Sequence, residues 1–171
     1  GHASRLLGRV WGCGMMYVSQ AAPLVPGMLT RHEYESVYRA FRTGPRSRVF
    51  GVVGDPVEGS LSPLLHNWFF DRIGSPDLYL PMPAPDPDDF WRAVAELAPA
   101  GLSVTVPHKE RWLGECRSLS PEVRRLGALN TLSAGPDGWR ADHTDWIGFE
   151  RSLAGWVPAG RRIRDFGLLV M

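Results

Sequence analysis

Cysteine is scarce in this chain. Cys13 and Cys116 stand far apart. They are too few for a disulfide framework and show no metal-ligand spacing, so a reducing, cytoplasmic setting and no metal are expected. No apolar run reaches the length of a membrane span, so no membrane partner is expected. Charge of one sign is also lacking. Lys and Arg total 19 and Asp and Glu 18, for a net +1. No basic run reaches about five residues, which argues against nucleic acid as a partner. The densest basic group, Arg161, Arg162 and Arg164, reads as solvated surface. The N-terminus loosely imitates a secretory leader, with Arg5 and Arg9 before an apolar stretch and Ala21-Ala22 after it. Gly12 and Gly14 interrupt that stretch, and secretion is not expected. Gly51, Gly54 and Gly59 lack phosphate-loop spacing. Internal repeats and low-complexity segments are absent.

What is present is ordinary for a globular protein. Hydrophobic residues make up 44% and charged residues 22% of 171. That is enough for a real core in one domain, or in one domain plus fragments.

Residues 15–18 read as a short buried strand and 21–27, with two prolines and a glycine, as loop. Thr30 and Glu33 form a capping box. Tyr34, Val37, Tyr38 and Phe41 follow at helical spacing, so a helix is expected to end near 41–43, before Gly44 and Pro45. This first section cannot bury a core alone and must pack on something else or belong to another unit.

From residue 48 strands and helices alternate. Strands are expected over 48–53, 78–82, 101–106, 128–132, 139–141 and 166–171. Helices are expected from Ser62, over 86–97, over 108–113, from Ser120 to Leu126, and from Thr144. Leu64, Leu65, Trp68 and Phe69 should form the buried face of the first. Residues 135–138 form a turn that adds an antiparallel edge. The pattern predicts an α/β fold, a mainly parallel open sheet with flanking helices.

In such sheets ligands gather at the carboxyl ends of the strands. The stretch GLSVTVPHKE, residues 101–110, brings Thr105 and Lys109 to such an end. A lysine there is either a solvated charge or a proton donor and clamp. Ser60 and Ser62 stand where a helix begins, either as caps or as a seat for an anion. Asp145 falls in the first turn of the last helix, where the dipole favours a carboxylate.

Four segments coincide in order: GDPVEGSLSPLLHN (54–67), GLSVTVPHKE (101–110), LGALNTL (126–132) and ADHTDWIGF (141–149). Together, over about residues 48–157, they resemble the substrate-binding domain of the shikimate dehydrogenase family. The resemblance implies a catalytic pair, Lys109 and Asp145. It also implies Ser60 and Ser62 on a substrate carboxylate, and Thr105 and Asn130 on ring hydroxyls. The small-molecule substrate would be 3-dehydroshikimate, reduced to shikimate with NADPH. A quinate preference and a non-catalytic binding module are the alternatives. Ser103 departs from the family's asparagine in its N-V-T motif, and His143 from the asparagine of its N-T-D motif. His66 and His108 match family positions and read as structural hydrogen-bonders.

SRLLGRVWG (4–12), MMYVS (15–19) and PGMLT (26–30) are similar instead to the C-terminal end of a type I dehydroquinate dehydratase, a (β/α)8 barrel. Dehydratase and dehydrogenase occur fused in one chain. Arg5 matches a substrate-binding arginine of that family, and Leu24 and Met28 stand for its usual serine and glutamine. The resemblances divide the chain into a dehydratase remnant at 1–45, a substrate-binding domain at 46–159 and the start of a cofactor domain at 160–171. No G-x-G-x-x-G occurs, so the NADP-binding loop and the flanking domains are expected to lie outside this chain.

Overall fold

The computed structural model describes residues 2–156. The strand expected over 166–171 and the arginines at 161–164 lie outside them. Six strands form one sheet: β1 (Val49–Gly54), β2 (Leu78–Pro83), β3 (Gly101–Val104), β4 (Cys116–Leu119), β5 (Thr131–Gly135) and β6 (Gly138–Asp142). Their order is β2-β1-β3-β5-β6-β4. β1 runs parallel to β2 and β3. Parallel neighbours need crossovers, supplied by α2 (Ser62–Arg72) and α3 (Pro87–Leu97). β5 runs antiparallel to both β3 and β6, and β4 parallel to β6. This is the α/β sheet with flanking helices that the alternation predicts. The hairpin, however, lies inside the sheet, and β4, which the sequence reading passed over, forms the edge.

Strand alternation assigns the two faces. Val49, Val53, Leu78, Leu80, Met82, Leu102, Val104 and Leu132 point into the main core. Phe50, Val52 and Tyr79 point the other way, into a smaller cluster with Val57 and with Phe70 of α2. The main core also holds Leu6 and Leu7 of α1 (His2–Val10), together with Leu29, Tyr38 and Ala40. The first section therefore packs on the sheet. A fully buried leucine such as Leu6, Leu29 or Leu80 stabilises the fold by about 2–5 kcal/mol relative to alanine.

Local chemistry explains most boundaries. Asp86 caps α3 by accepting from Asp88 N at 2.8 Å and Asp89 N at 3.0 Å. Ser120 caps α4 (Pro121–Leu126) by accepting from Val123 N at 3.3 Å. Gly74, at φ +70°, follows α2, taking a left-handed backbone that only glycine adopts at no cost.

Five expectations fail. Residues 15–18 form no strand: Met15 and Tyr17 are 75% and 73% exposed. The helix after Thr30 keeps its capping box, with Thr30 N donating to Glu33 Oε2 at 2.7 Å and Glu33 N to Thr30 Oγ1 at 3.1 Å. It stops early, as a π-helical turn over Glu33–Val37, because Arg39 takes a left-handed φ of 50°. Leu64, Leu65, Trp68 and Phe69 are half to largely exposed. α2 rests on the sheet through Pro63, Asn67 and Phe70 instead, so its apolar stripe is turned outward. Residues 108–112 are turns, not helix, with Trp112 at φ 57° before a 3-10 turn at Leu113–Glu115. Finally, Ser62 and Thr144 are the first residues of their helices rather than the caps.

No helix among the described residues is long and apolar enough to cross a membrane. Among the same residues no cluster of His, Cys, Asp and Glu could hold a metal ion. Both cysteines are free thiols.

Candidate active site

A cavity of about 520 Å³ opens at the carboxyl ends of β1 and β3, beside the start of β5. Ser60, Ser62, Thr105, Lys109, Asn130 and Asp145 all line it. The six residues come from four separate stretches of chain.

The loop after β3 is locked from three sides. Thr105 N donates to Val53 O at 2.9 Å, and Asp55 N to Val106 O at 3.1 Å. Gly54 lets the β1 turn approach this loop. A Cβ there would stand 2.5 Å from Thr105 Cγ2 and 2.7 Å from Val106 O. His108 is buried, with Nε2 2.7 Å from Ala84 O and its ring against Trp112. Leu129 N donates to Lys109 O at 2.7 Å. His108 thus ties the loop to the end of β2 and leaves Lys109 to project into the cavity. The structural reading of His108 holds. His66 instead stacks on Tyr79, with centroids 4.2 Å apart and planes 5° from parallel.

Lys109 Nζ donates to Asp145 Oδ2 at 2.6 Å. Burial pushes the Asp145 carboxyl up. Hydrogen bonds from Lys109 and Asn130, and the charges of Lys109 and His143, outweigh it and hold that carboxyl below its ordinary value. Asp145 is therefore a carboxylate at neutral pH, and both side chains are partly open to solvent. In the same cavity, Ser60 Oγ accepts from Ser62 N at 3.2 Å, just where α2 begins. Two hydroxyls and a helix N-terminus favour an anionic group.

Asn130 builds the site as well as lining it. Its Oδ1 accepts from Thr144 N at 2.8 Å, Thr144 Oγ1 at 3.1 Å and Thr131 Oγ1 at 2.9 Å. Its Nδ2 donates to Thr144 Oγ1 at 2.9 Å. Its carbonyl is thus used inside the protein, and its amide serves Thr144 and Asp145 at the cavity wall. His143 takes the cap of α5 (Thr144–Ala154), with Nδ1 accepting from Trp146 N at 3.3 Å. The imidazole at this departure from the family motif therefore has a structural duty.

Sequence reasoning missed three residues here. Thr144 joins the site through Asn130, and only the fold brings positions 130 and 144 together. Asn67, 2% exposed, donates from Nδ2 to Tyr79 O at 2.8 Å and accepts from Tyr79 N at 2.9 Å. It ends the GDPVEGSLSPLLHN segment, which was the available signal. Tyr79 OH donates to Ser103 Oγ at 2.7 Å, and Ser103 faces the cavity.

Residues 52–132 match the family model of the shikimate dehydrogenase substrate binding domain. A shikimate dehydrogenase (NADP(+)) of Geobacter metallireducens is 42% identical over 128 residues, 71% of this chain and 44% of the relative. One of Acidiphilium cryptum is 44% identical over 110 residues, 63% of this chain and 40% of the relative. This chain thus spans less than half the length of the relatives it matches. The crystal structure of shikimate dehydrogenase from Aquifex aeolicus superposes with a TM-score of 0.60 at 30% identity, covering 66% of this chain and 43% of that one. The Thermus thermophilus enzyme, crystallised in complex with shikimate, gives 0.58 at 32% identity over 65% of this chain and 44% of that one. Sequence match and superposition point the same way: residues 52–132 are similar to the substrate binding domain of shikimate dehydrogenases.

Proposed function

We propose that this chain is the substrate half of an NADP-dependent shikimate dehydrogenase, acting between 3-dehydroshikimate and shikimate. The observation that carries the proposal is the Lys109–Asp145 pair, 2.6 Å apart, in a cavity that also presents Ser60, Ser62, Thr105 and Asn130. 3-Dehydroshikimate bears a carboxylate, a ketone and two ring hydroxyls. The carboxylate is seated by Ser60 and Ser62 at the start of α2. The ring hydroxyls meet Thr105 and the Asn130 amide.

Lys109 faces the ketone. As the carbonyl is reduced its oxygen gains negative charge. The ammonium of Lys109 stabilises that charge and passes a proton from Nζ to the oxygen, leaving a neutral amine and an alcohol. Asp145 orients Nζ through their hydrogen bond. Acid assistance of this kind is worth on the order of 10²- to 10⁴-fold in rate.

Among the described residues no glycine-rich turn of the dinucleotide-binding pattern follows a strand. The role assigned to them is limited to the substrate: binding, orientation and the proton. NADP would be held by other residues of the full-length protein.

The domain reading extends the proposal. Residues 46–159 form the substrate unit, 160–171 begin the cofactor unit, and 1–45 are a dehydratase-like tail of a bifunctional chain. The tail's resemblance at Arg5 supports this, and Leu6 and Leu7 are the side chains that seat it on the sheet. A dehydroquinate dehydratase assay on the full-length protein tests it.

Shikimate titration and NADP-linked shikimate oxidation by the full-length protein test the main reading. Saturable binding and turnover, with turnover lost in Lys109→Ala, are expected. Equal, weak shikimate binding by the wild type and Lys109→Ala would overturn it.

A further inference from the structure

Ser103 is the one position in the β3 motif where this chain departs from the family's asparagine, and it stands in the cavity wall. Its Oγ accepts a hydrogen bond from Tyr79 OH at 2.7 Å. We propose that Ser103 is a further substrate-contacting residue, donating its hydroxyl proton to a ring oxygen of the ligand, and that Tyr79 is the positioning residue that aims it. The proposal rests on the reading of this cavity as a shikimate site.

The direction of the hydrogen bond follows from burial. Tyr79 is 3% exposed. Burial raises the pKa of its phenol against the smaller opposing effect of Ser103, so the phenol keeps its proton at neutral pH. A buried phenol needs an acceptor, and Ser103 Oγ is that acceptor. The serine oxygen then has one lone pair engaged, and its own O–H is free to turn into the cavity. The seryl hydroxyl is thereby biased towards donation, which selects a ligand oxygen rather than an ammonium or amide N–H.

The phenol itself cannot wander. Its ring stacks on His66 of α2 at 4.2 Å. Its backbone is held in both directions by Asn67 of the same helix, at 2.8 and 2.9 Å. The path runs from α2 to Tyr79 to Ser103, and α2 is the helix whose start presents Ser60 and Ser62 to the same cavity. One helix therefore fixes both the anion seat and the hydroxyl on β3. A serine is shorter than an asparagine, but a serine clamped by a buried phenol pays little entropy on binding.

The test uses the full-length protein in NADP-linked shikimate oxidation and shikimate titration, with Tyr79→Phe, Ser103→Ala and the double variant. Tyr79→Phe keeps the ring stacked on His66, so the fold is retained. Each single variant is expected to raise KM and Kd for shikimate by about 3- to 10-fold, the worth of one aligned hydrogen bond, with kcat changed less than about twofold. In the Ser103→Ala background Tyr79→Phe should add almost nothing. Unchanged KM in Tyr79→Phe overturns the proposal. So do effects that multiply in the double variant, since they would mean that Tyr79 acts through general stability and not through Ser103. Lys109→Ala separates this failure from that of the wider reading. If the wild type binds shikimate and turnover depends on Lys109, a silent Tyr79→Phe removes the proposal alone. If the wild type does not bind shikimate, both fall.

Discussion

Asn130 Oδ1 accepts the backbone N–H of Thr144 at 2.8 Å, and this bond sets where Asp145, the next residue, stands relative to Lys109. A carboxamide just before β5 holds the first turn of α5 against the sheet. Asn130→Ala should free that turn and separate the pair. The expected outcome is a fall in kcat of roughly 10²-fold, on the scale of lost acid assistance. Steady-state kinetics checks it, with Thr131→Ala as a control expected to cost far less.

Asp145 supplies a signed pH prediction. Its carboxyl is raised by burial and lowered further by Lys109 and Asn130, with a net downward shift. A depressed folded value means that the pair's stabilisation is complete above the ordinary carboxylate value, about 4, and is lost as pH falls through the lower folded one. In Lys109→Ala the lowering by Lys109 disappears while burial remains, so the Asp145 carboxyl should titrate at higher pH than in the wild type. Carboxyl-carbon NMR titration reads the direction. Asp145 is 55% exposed, so the effect on global stability should be small.

Asn67 should matter to stability more than its type suggests. It satisfies both backbone groups of Tyr79 on the edge strand β2. Asn67→Leu would leave a buried N–H and a buried C=O unpaired, at about 1–3 kcal/mol each. A fall in Tm of more than about 5 °C is expected by calorimetry. A change below about 1 °C would show that the side chain is dispensable.

Asp77 and Arg48 give a second pH test. Asp77 is buried and accepts from Arg48 N at 2.9 Å and Arg48 Nη2 at 2.6 Å. Burial raises its carboxyl, and the bonds from Arg48 and Ser75 lower it further. Its contribution is therefore present above about pH 4 and lost as acid protonates it. Arg48→Ala should destabilise the protein at pH 7, and progressively less as pH falls through the depressed folded value of Asp77, in parallel urea melts.

The two thiols should differ in reactivity. Burial, then the charge of Glu115, pushes Cys116 up to about 11, and its Sγ lies 3.2 Å from Trp112 O. Cys13 is exposed. Native protein at pH 8 should react quickly with one equivalent of thiol reagent, at Cys13, and the second equivalent should require denaturant. Peptide mapping after alkylation checks the order.

Local chemistry determined much of this protein directly. Capping pairs such as Thr30–Glu33, the Ser120-Pro121 helix start and the Gly135–Gly138 hairpin depend on neighbours a few residues apart, so the sequence contains everything they need. The α/β class followed from the same alternation. The four motifs also picked out six of the residues that line the cavity, because each motif spans a strand or helix terminus.

What failed were features that depend on distant partners. Residues 15–18 are apolar enough for a strand, but they run as irregular chain with Met15 and Tyr17 exposed. α2 has an apolar stripe, but Asn67 turns inward to serve Tyr79, and that need outweighs the helix's own pattern. α1 was not among the expected helices, yet Leu6 and Leu7 pack into the main core. Sequence by itself determined which residue types stand at strand and helix ends, since propensity, capping and turn chemistry are short-ranged. Only the tertiary structure decided that Asn130 holds Thr144, that Tyr79 reaches Ser103 and that Lys109 meets Asp145 across 36 positions, because those contacts exist only once the sheet has brought distant segments together.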